Sequence, residues 1–408
     1  MSLRFGRLMM FGFNVKKTRK DFDVLSSGVI YFDSACMSLK PRQVIGKMNE
    51  YYEKYPACGG RSGHHLSKKV EDEVDLARRE VARLLNAKID EVIFTRNATE
   101  SINLIANALE WKEGDEIIVS DKEHNSNLIP WLKLKKKGVK VRVCKSNEDN
   151  TFNLENFENC FGEKTKLVAI VHVSNLDGVE NPIGEIVKIA HKNKSLVLVD
   201  GAQSFPHKEI DVKKLGVDFF VLSGHKALGP TGIGVLYGRR DLLEDMEQFI
   251  VGGQTVIDSS YEGYEIEKLP NKFEAGLQDY AGIVGFGEAC RYLRKVGLKN
   301  IEKHLNKLNK IVTEHLGEEK KIEIIGPKEA EKRSGIFIFN VKGMKAHDVA
   351  KMLDASKKIA LRSGAFCVHS WFNDRKIEGA VRVSFYLYNT EEEVRTFVES
   401  VKKIILLV

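Results

Sequence analysis

Short apolar runs alternate with amphipathic stretches over most of this chain. The apolar residues Ile102, Ile105, Ala106 and Leu109 recur with the spacing of one helix face, which predicts a helix over residues 99–109. Continuous apolar runs predict strands buried on both faces at residues 92–94, 116–119, 167–173, 196–199 and 219–222. Strands and helices that alternate in this way predict an α/β fold with a largely parallel sheet.

The pattern changes after about residue 290. A lysine-rich helical pattern covers residues 291–316, and further elements are predicted at 336–340 (strand), 347–356 (helix) and 381–385 (strand). We therefore predict three parts, which are a partly flexible N-terminal segment (1–20), a large α/β domain (21–290) and a small α+β domain (291–408). The sequence has no internal repeat or low-complexity tract, which excludes solenoids and disordered scaffolds.

The composition is that of a globular protein. Of the 408 residues, 43% are hydrophobic and 30% charged, and no apolar run approaches the roughly 20 residues of a membrane-spanning helix. The apolar opening, residues 1–13, is too short for a signal peptide. Met9 and Met10 are equally good candidates for the true start. No membrane association is expected.

Charge and cysteine content narrow the classes further. The net charge of +7 comes from scattered basic residues, and the short run at Lys133, Lys135, Lys136 and Lys137 is typical of a solvated helix face rather than a nucleic-acid patch. No nucleic-acid partner is expected. The cysteines form neither a CxxC pair nor the disulfide framework typical of small secreted proteins. We therefore expect the protein to be located in the reducing cytoplasm. The cysteines are Cys36, Cys58, Cys144, Cys160, Cys290 and Cys367.

The most informative stretch is residues 219–237. A buried strand there runs into the tetrapeptide Ser223–Lys226 (SGHK), which is followed by a glycine-rich turn. A lysine directly after a core strand is placed to lose its hydration, which lowers its pKa and favours Schiff-base formation. The ordinary alternative is that Lys226 is a solvent-exposed lysine without a chemical role. The residues that follow the other predicted strands decide between these two interpretations.

Four other predicted strands also end in polar groups. Asp200 could pair with the protonated pyridine nitrogen of pyridoxal phosphate (PLP), although loop aspartates are common. The turn that opens the helix at Thr99 suits a phosphate, with a plain helix cap as the alternative. His124 could stack on a cofactor ring and move protons, and Asn175 could bind a carboxylate or the ring oxygen. The carboxyl ends of parallel strands lie at one edge of the sheet, so these groups and Lys226 are expected to lie close together. Together they predict a PLP site.

With these motifs the sequence resembles the class V aminotransferase superfamily, which are fold-type I PLP enzymes. Within it the chain is similar to the SUF-type (group II) cysteine desulfurases and selenocysteine lyases. The likeness extends from residue 21 to about residue 392. It implies a fold-type I transferase with a large, mostly parallel-sheet domain and a smaller C-terminal α+β domain. Relatives are dimers, so the resemblance also implies a homodimer.

The resemblance implies a role for each matching residue. Lys226 corresponds to the lysine that holds PLP covalently, and Cys367 to the cysteine that accepts sulfur. Arg382, 15 residues after Cys367, matches the arginine that binds the substrate α-carboxylate, which Asn175 also contacts. The positions that match cofactor contacts are Ala98, Thr99, Ser223 and His225 for the phosphate, His124 and Gln203 for the ring, and Asp200 for the ring nitrogen.

Some positions depart from the family pattern. Ala365 and Phe366 replace two histidines before Cys367, and Ala98 replaces the first of two threonines. Leu277 lacks a hydroxyl that in relatives reaches the phosphate of the neighbouring subunit, and Gly60 stands where relatives carry a histidine. These departures leave the amino-acid substrate open.

We therefore expect a PLP-dependent cysteine desulfurase that converts L-cysteine to L-alanine and passes sulfur to Cys367 as a persulfide. Iron–sulfur cluster assembly or other sulfur metabolism would use that sulfur, with a sulfur-acceptor protein as a possible partner. Three other class V activities remain as alternatives, namely a selenocysteine lyase, an epimerase-like enzyme and a small-molecule aminotransferase. A non-catalytic scaffold is a further alternative.

Overall fold

The structure, a computed structural model, describes residues 13–408. Met9, Met10 and most of the predicted segment 1–20 lie outside the described residues. The strands are β1 (Ile30–Tyr31), β2 (Val92–Thr95), β3 (Glu116–Ser120), β4 (Lys140–Cys144), β5 (Thr165–Val171), β6 (Leu196–Asp200), β7 (Phe219–Ser223), β8 (Gly234–Gly238), β9 (Val256–Ser259), β10 (Tyr264–Ile266), β11 (Ile322–Ile324), β12 (Ile336–Val341), β13 (Ile359–Ala360), β14 (Arg362–Gly364) and β15 (Ala380–Ser384).

The helices lie between these strands. They are α1 (Val15–Arg19), α2 (Arg42–Lys54), α3 (His65–Leu85), α4 (Ala98–Ala108), α5 (Ile129–Lys133), α6 (Leu154–Glu158), α7 (Ile183–Lys192), α8 (Val212–Leu215), α9 (Arg240–Asp245), α10 (Tyr280–Val296), α11 (Leu298–Leu316), α12 (Ala346–Lys357), α13 (His369–Asp374) and α14 (Glu391–Ile405). None of them is both long enough and apolar enough to cross a bilayer.

A seven-stranded sheet forms the centre of the fold. Its strand order is β2-β8-β7-β6-β5-β3-β4, and only β8 runs antiparallel to its neighbours. The strands are buried on both faces. In β3, for example, Ile118 packs into one hydrophobic cluster while Ile117 and Val119 pack into the other. Helices therefore cover both sides of the sheet, and the predicted α/β fold with a mostly parallel sheet is confirmed.

A second sheet follows in the C-terminal part. Its antiparallel order is β11-β12-β15-β14. The N-terminal region joins this part, because β1 pairs in parallel with β13 and Asp33 forms a bridge with Ser384. The two sheets share one continuous core that extends from Val168 and Phe220 to Phe337 and Val383. The division into domains at residues 20 and 290 stays a prediction.

Several element bounds differ from the prediction. The single helix predicted over 291–316 is wrong, because α10 ends before Gly297 and α11 begins after it. Gly297 has φ +86, which only glycine adopts easily, so the chain turns between the two helices. Strand β5 begins and ends two residues earlier than predicted. The run of lysines at 133–137 is exposed, as predicted, at the end of α5 and in the 3₁₀ turn Leu134–Lys137.

A buried ion pair joins α3, β2 and the segment before α10. The Arg78 guanidinium donates to both carboxylate oxygens of Glu274, at 2.7 and 2.9 Å, and it also donates to the Val92 carbonyl. Glu274 Oε1 accepts the Phe94 N–H at 2.7 Å, and Arg78 lies 4.5 Å from the Phe94 ring centroid. The position of β2 at the sheet edge therefore depends on two buried charges that satisfy each other.

We expect single substitutions in this pair to be costly. Glu274→Leu leaves the Arg78 charge buried without its partner and should lower the free energy of unfolding by about 3–5 kcal/mol. The double variant Arg78→Met/Glu274→Leu removes both charges and should lose clearly less than the sum of the two single variants. Urea denaturation of the four proteins measures these differences. If the loss of the double variant equals the sum of the losses of the two single variants, Arg78 and Glu274 are not coupled.

Candidate active site

A cavity of about 220 Å³ lies at the carboxyl edge of the parallel strands. It brings together ten of the residues predicted from the sequence, namely Ala98, Thr99, His124, Asn175, Asp200, Ser223, His225, Lys226, Cys367 and Arg382. Gln203 does not line it, but its Nε2 donates to the carbonyl of Ala35, which does. Larger clefts, of about 940, 620, 550 and 480 Å³, lie elsewhere on the described part of the chain and contain none of these residues.

Lys226 and Asp200 form the electrostatic centre of the cavity. The accessible part of Lys226 faces the cavity, yet dense packing around the side chain lowers its pKa, and the positive charge of Arg382 adds to the shift. Burial raises the pKa of Asp200, and the nearby Lys226 opposes that rise. Asp200 Oδ1 accepts the Ala202 N–H at 2.9 Å, which fixes the carboxylate. A lysine with a lowered pKa is a better nucleophile towards a carbonyl group.

The N-terminus of α4 forms one wall. Asn97, not Thr99, is the helix cap, because Asn97 Oδ1 accepts the Glu100 N–H at 3.1 Å. The Thr99 hydroxyl is instead hydrogen-bonded to Ser126. Ser223 Oγ accepts the Ala98 N–H, which joins β7 to α4. Gly234 permits this approach, since a Cβ there would lie 2.5 Å from the Cα of Asn97.

His124 lies in a braced loop after β3. Its Nδ1 accepts the Ser126 N–H at 3.0 Å, so the proton of the neutral ring is on Nε2. Burial lowers the pKa of His124 to about 3, and the positive charges of Lys226 and Arg382 add to the shift. The ring is therefore neutral at physiological pH. It can donate a proton from Nε2.

Two buried contacts hold this loop in place. Glu123 accepts hydrogen bonds from Ser120, Val171 and Asn127, and burial raises the pKa of its carboxyl to about 7. Lys122 Nζ lies 3.2 Å from Asp177 Oδ2, and both side chains are almost fully buried. Asp177 follows Asn175 in the next loop. The ion pair therefore fixes the distance between the His124 loop and the Asn175 loop.

Arg382 enters the cavity from the small sheet. Its Nη1 donates to the Asn175 carbonyl at 2.8 Å, and its Nη2 contacts Asp33 Oδ1 at 3.2 Å. The Nε atom has no partner among residues 13–408. The guanidinium lies 4.8 Å from the Phe366 ring centroid, so the aromatic departure at 366 forms a cation–π contact. Arg382 is thus held rigidly while part of its donor set stays free.

The loop that carries Cys367 has an unusual backbone. Phe366 has φ +49 and Cys367 has φ +61, which is the left-handed region that residues other than glycine seldom adopt. The Asn175 side-chain amide donates to the Phe366 carbonyl at 2.9 Å, and the Asn125 N–H donates to the Cys367 carbonyl at 2.7 Å. Loops at the edge of the large sheet therefore hold Cys367 in this conformation and at the cavity.

Several residues that line the cavity or support it were not predicted from the sequence, among them Cys36, Asp33 and Arg362. Cys36 and Arg362 line the cavity, and Asp33 contacts Arg382. Asp33 and Cys36 follow β1, which has only two residues and therefore gives almost no pattern. The departures Gly60 and Leu277 do not line the cavity, since both are exposed at the surface. Ala365 lies in the Cys367 loop and packs against Phe366 and its neighbours.

Comparison with known proteins agrees with this geometry. The profile of the family described as "Aminotransferase class-V" matches residues 30–397. A protein of Pyrococcus abyssi named "Probable cysteine desulfurase" is 41% identical over 391 residues, which is 95% of this chain and 96% of the relative. The chain therefore belongs to the class V aminotransferase family, as the resemblance predicted.

Solved structures agree as well. The apo structure of cysteine desulfurase from Thermococcus onnurineus NA1 superposes with a TM-score of 0.93 at 39% identity, over 96% of this chain and 98% of that one. The cysteine desulfurase CsdA (S-sulfonic acid) from Escherichia coli gives a TM-score of 0.90 at 31% identity, over 97% and 99%. The similarity extends over nearly the whole fold, including both sheets.

The residues of the cavity fit a PLP group. Asn175 Oδ1 and Gln203 Oε1 are buried without a partner in the described part of the chain, and a polar ligand would satisfy such atoms. Asp200 would face a pyridinium nitrogen, and the α4 N-terminus with Ser223 and His225 offers donors for a phosphate. Ala98 offers no hydroxyl at its position, and its backbone N–H is already donated to Ser223 Oγ.

The lowered pKa of His124 predicts a loss of stability in acid. The unfolded chain binds a proton at the ordinary value of 6.5, whereas the folded ring stays neutral down to about pH 3. Stability from this group is therefore complete above pH 6.5 and falls as the pH decreases towards 3. One titrating group changes the free energy of unfolding by at most about 1.4 kcal/mol per pH unit. We expect a smaller slope here, because the His124 ring is only partly buried.

We expect the His124→Asn variant to lose stability less steeply than the wild type over this range. The asparagine oxygen lies where Nδ1 lies, so it can still accept the Ser126 N–H, but it does not titrate. Urea denaturation without ligand, repeated across the pH series, gives the two slopes. Equal slopes would show that His124 is not held neutral.

Proposed function

We propose that this chain is a PLP-dependent cysteine desulfurase, in which L-cysteine becomes L-alanine and its sulfur passes to Cys367. The observation that carries the proposal is the position of Cys367, which shares one cavity with Lys226, Asp200 and Arg382. Relatives and solved neighbours that cover more than 90% of the chain are named cysteine desulfurases. Their names support the same activity.

Each residue has a defined task in this proposal. Lys226 Nζ would hold the PLP aldehyde carbon covalently, Asp200 would pair with the ring nitrogen, and His124 would stack on the ring. Gln203 would bind the ring oxygen, and Ser223, His225 and Thr99 would bind the phosphate. Bound PLP supplies an electron sink for the electron pair that Cα–H cleavage releases.

Arg382 and Asn175 bind the substrate carboxylate. The free donors of the Arg382 guanidinium include Nε, and a guanidinium can bind a carboxylate through two parallel hydrogen bonds. The Phe366 ring and the contacts to Asn175 and Asp33 keep the guanidinium in one orientation. This orientation places the substrate so that its Cα–H and its sulfur lie in the cavity with Lys226 and Cys367.

Proton transfer and sulfur transfer then use separate groups. Lys226 Nζ would accept the α-proton, since burial lowers its pKa and thereby favours the neutral amine that can act as a base. The Cys367 thiolate attacks the substrate sulfur, the carbon–sulfur bond breaks, and Cys367 keeps the sulfur as a persulfide. The Nε2 proton of His124 is available to the substrate or the product. Alanine is released.

We expect Cys367→Ser to lower alanine formation from L-cysteine by roughly 100-fold or more, because no thiol then accepts the sulfur. Cys58→Ser is the matched control, since Cys58 is also partly buried but lies outside the cavity. Alanine and sulfide are measured with the full-length, PLP-loaded proteins. A wild-type rate of sulfide release from Cys367→Ser would contradict the role of Cys367.

The same assay with L-selenocysteine separates the main alternative. Selenium leaves carbon more readily than sulfur does, so a lyase could act without Cys367. A cysteine desulfurase should require Cys367 to form alanine from L-cysteine. A selenocysteine lyase would be favoured by a different result. The Cys367→Ser variant and the wild type would then act on selenocysteine at equal rates, and neither would form alanine from L-cysteine. Conversion of PLP to its amine form by the amino acid, with a keto acid needed to restore PLP, would favour an aminotransferase.

We also propose that the protein is a homodimer. The hairpin β9–β10 and its surroundings expose apolar side chains, which include Ile250, Val251, Ile257, Tyr261, Tyr264 and Leu277. An isolated two-stranded hairpin is at best marginally stable in water, and a second copy of the chain would cover it. Gly60 lines the adjacent cleft and Leu277 is exposed beside it, so this surface contains two of the positions where the sequence departs from the family.

A charge on this surface should shift the protein towards monomer. We expect Tyr264→Glu to dissociate the dimer, while Val24→Glu, which is at an exposed apolar residue elsewhere, should leave it intact. Analytical ultracentrifugation over a range of concentrations measures the change. A Tyr264→Glu protein that is as dimeric as the wild type would place the interface elsewhere.

The setting of the enzyme is a proposal as well. All six cysteines are free in the structure, which suits a reducing cytoplasm. The sulfur held on Cys367 would serve iron–sulfur cluster assembly or another sulfur pathway through an acceptor protein. Cys367 keeps part of its surface accessible, which an acceptor thiol requires.

A further inference from the structure

Cys36 is a second thiol in the cavity that contains Cys367. Both cysteines line the same space of about 220 Å³, together with Lys226 and Arg382. Both are partly buried, so each presents some surface to the cavity rather than to the protein core. The cavity also contains buried polar atoms without a partner in residues 13–408, which are Arg382 Nε and Asn175 Oδ1. These atoms mark the place as a binding site for a ligand and not only as a packing gap.

The segment that carries Cys36 is fixed to both sheets. From the small sheet, Asp33 contacts Arg382 and the Ser384 hydroxyl accepts the Ala35 N–H at 2.9 Å. From the large sheet, Gln203 Nε2 donates to the Ala35 carbonyl at 2.7 Å. The Cys36 N–H closes a turn onto the Asp33 carbonyl. The thiol therefore has a fixed position in the cavity wall.

Positively charged side chains surround Cys36. Arg362 Nη1 lies 3.8 Å from Cys36 Sγ, at hydrogen-bond distance for sulfur. Arg362 pairs with Arg382 across β14 and β15, so both side chains project from the same face of the sheet. Cys36 also lies within electrostatic range of Lys226 and Arg382. Cations therefore face the Cys36 sulfur from the small sheet and from Lys226.

We propose that Cys36 is a sulfur relay that takes the sulfane sulfur from Cys367. This inference rests on the proposed function, because that reaction supplies the Cys367 persulfide. The Cys36 thiolate attacks the terminal sulfur and forms a new sulfur–sulfur bond. The bond from that sulfur to Cys367 Sγ breaks, and its electron pair leaves with Cys367 as a thiolate. The terminal sulfur keeps its proton, so the exchange needs no oxidant or reductant.

The relay predicts that each chain can hold sulfur at two places. Cys367, once free again, can accept sulfur from a second substrate molecule before any acceptor protein is present. The PLP-loaded, full-length enzyme is mixed with excess L-cysteine without reductant, and the burst of alanine is measured. We expect about two alanines per chain from the wild type and about one from Cys36→Ala or from the isosteric Cys36→Ser. Cys58→Ser should keep the amplitude of two.

The position of the sulfur is read independently by peptide mapping. Thiols and persulfides are blocked with an alkylating reagent, and the tryptic peptides that contain Cys36 and Cys367 are analysed separately by mass spectrometry. We expect an added sulfur atom on both peptides of the wild type and only on the Cys367 peptide of Cys36→Ala. In Cys367→Ser, neither peptide should carry sulfur.

The outcomes separate this inference from the proposed function. Alanine formation with sulfur confined to Cys367, or a burst that Cys36→Ala leaves unchanged, would overturn the relay and leave the desulfurase intact. Sulfur on Cys36 in Cys367→Ser would overturn the order of transfer. Absence of alanine in the wild type would overturn the desulfurase and the relay with it.

Discussion

The parallel order of β3, β5, β6 and β7 is the constraint on which the site depends. Parallel strands end at the same edge, so the loops after them converge without any long insertion. The small sheet and the loop after β14 add Arg362, Cys367 and Arg382 at this edge. Asn125 and Asn175 donate hydrogen bonds to the backbone of the Cys367 loop and thereby join the two parts. The cavity exists only when both sheets are in place.

The electrostatics of the cavity favour anionic ligands. Lys226, Arg382 and Arg362 supply positive charge, and Asp200 and Asp33 balance only part of it. Burial keeps two histidines neutral, since the pKa of His124 is lowered to about 3 and that of His225 to about 4. A phosphate and a substrate carboxylate would complete the charge balance. Two cysteines, Cys36 and Cys367, line this same cavity.

Much of this site could be predicted from the sequence because its signals are local. A buried strand followed by a polar group is visible in a short window, and five such windows led to Lys226, Asp200, His124, Asn175 and Thr99. The alternative reading of Thr99 as a helix cap is wrong, because Asn97 caps α4, one residue before the helix begins. The break at Gly297 was missed because the helical pattern continues on both sides of it.

The residues that remained hidden depend on contacts between distant parts of the chain. Asp33 and Cys36 reach the cavity because β1 pairs with β13, and a two-residue strand carries no periodic pattern. The left-handed backbone at Phe366 and Cys367 could not be foreseen either, since the hydrogen bonds that hold it come from loops far away in sequence. Such features require the tertiary structure.

The central claim is that the strand ends form one PLP site with Lys226 as the residue that binds the cofactor. Reduction of the PLP-loaded protein with borohydride, followed by peptide mapping, tests it most directly, since reduction makes the lysine linkage permanent. The account predicts a pyridoxyl group on Lys226 and none on the other lysines. A pyridoxyl group on another residue, or a Lys226→Ala protein that still carries a covalent adduct, would contradict it.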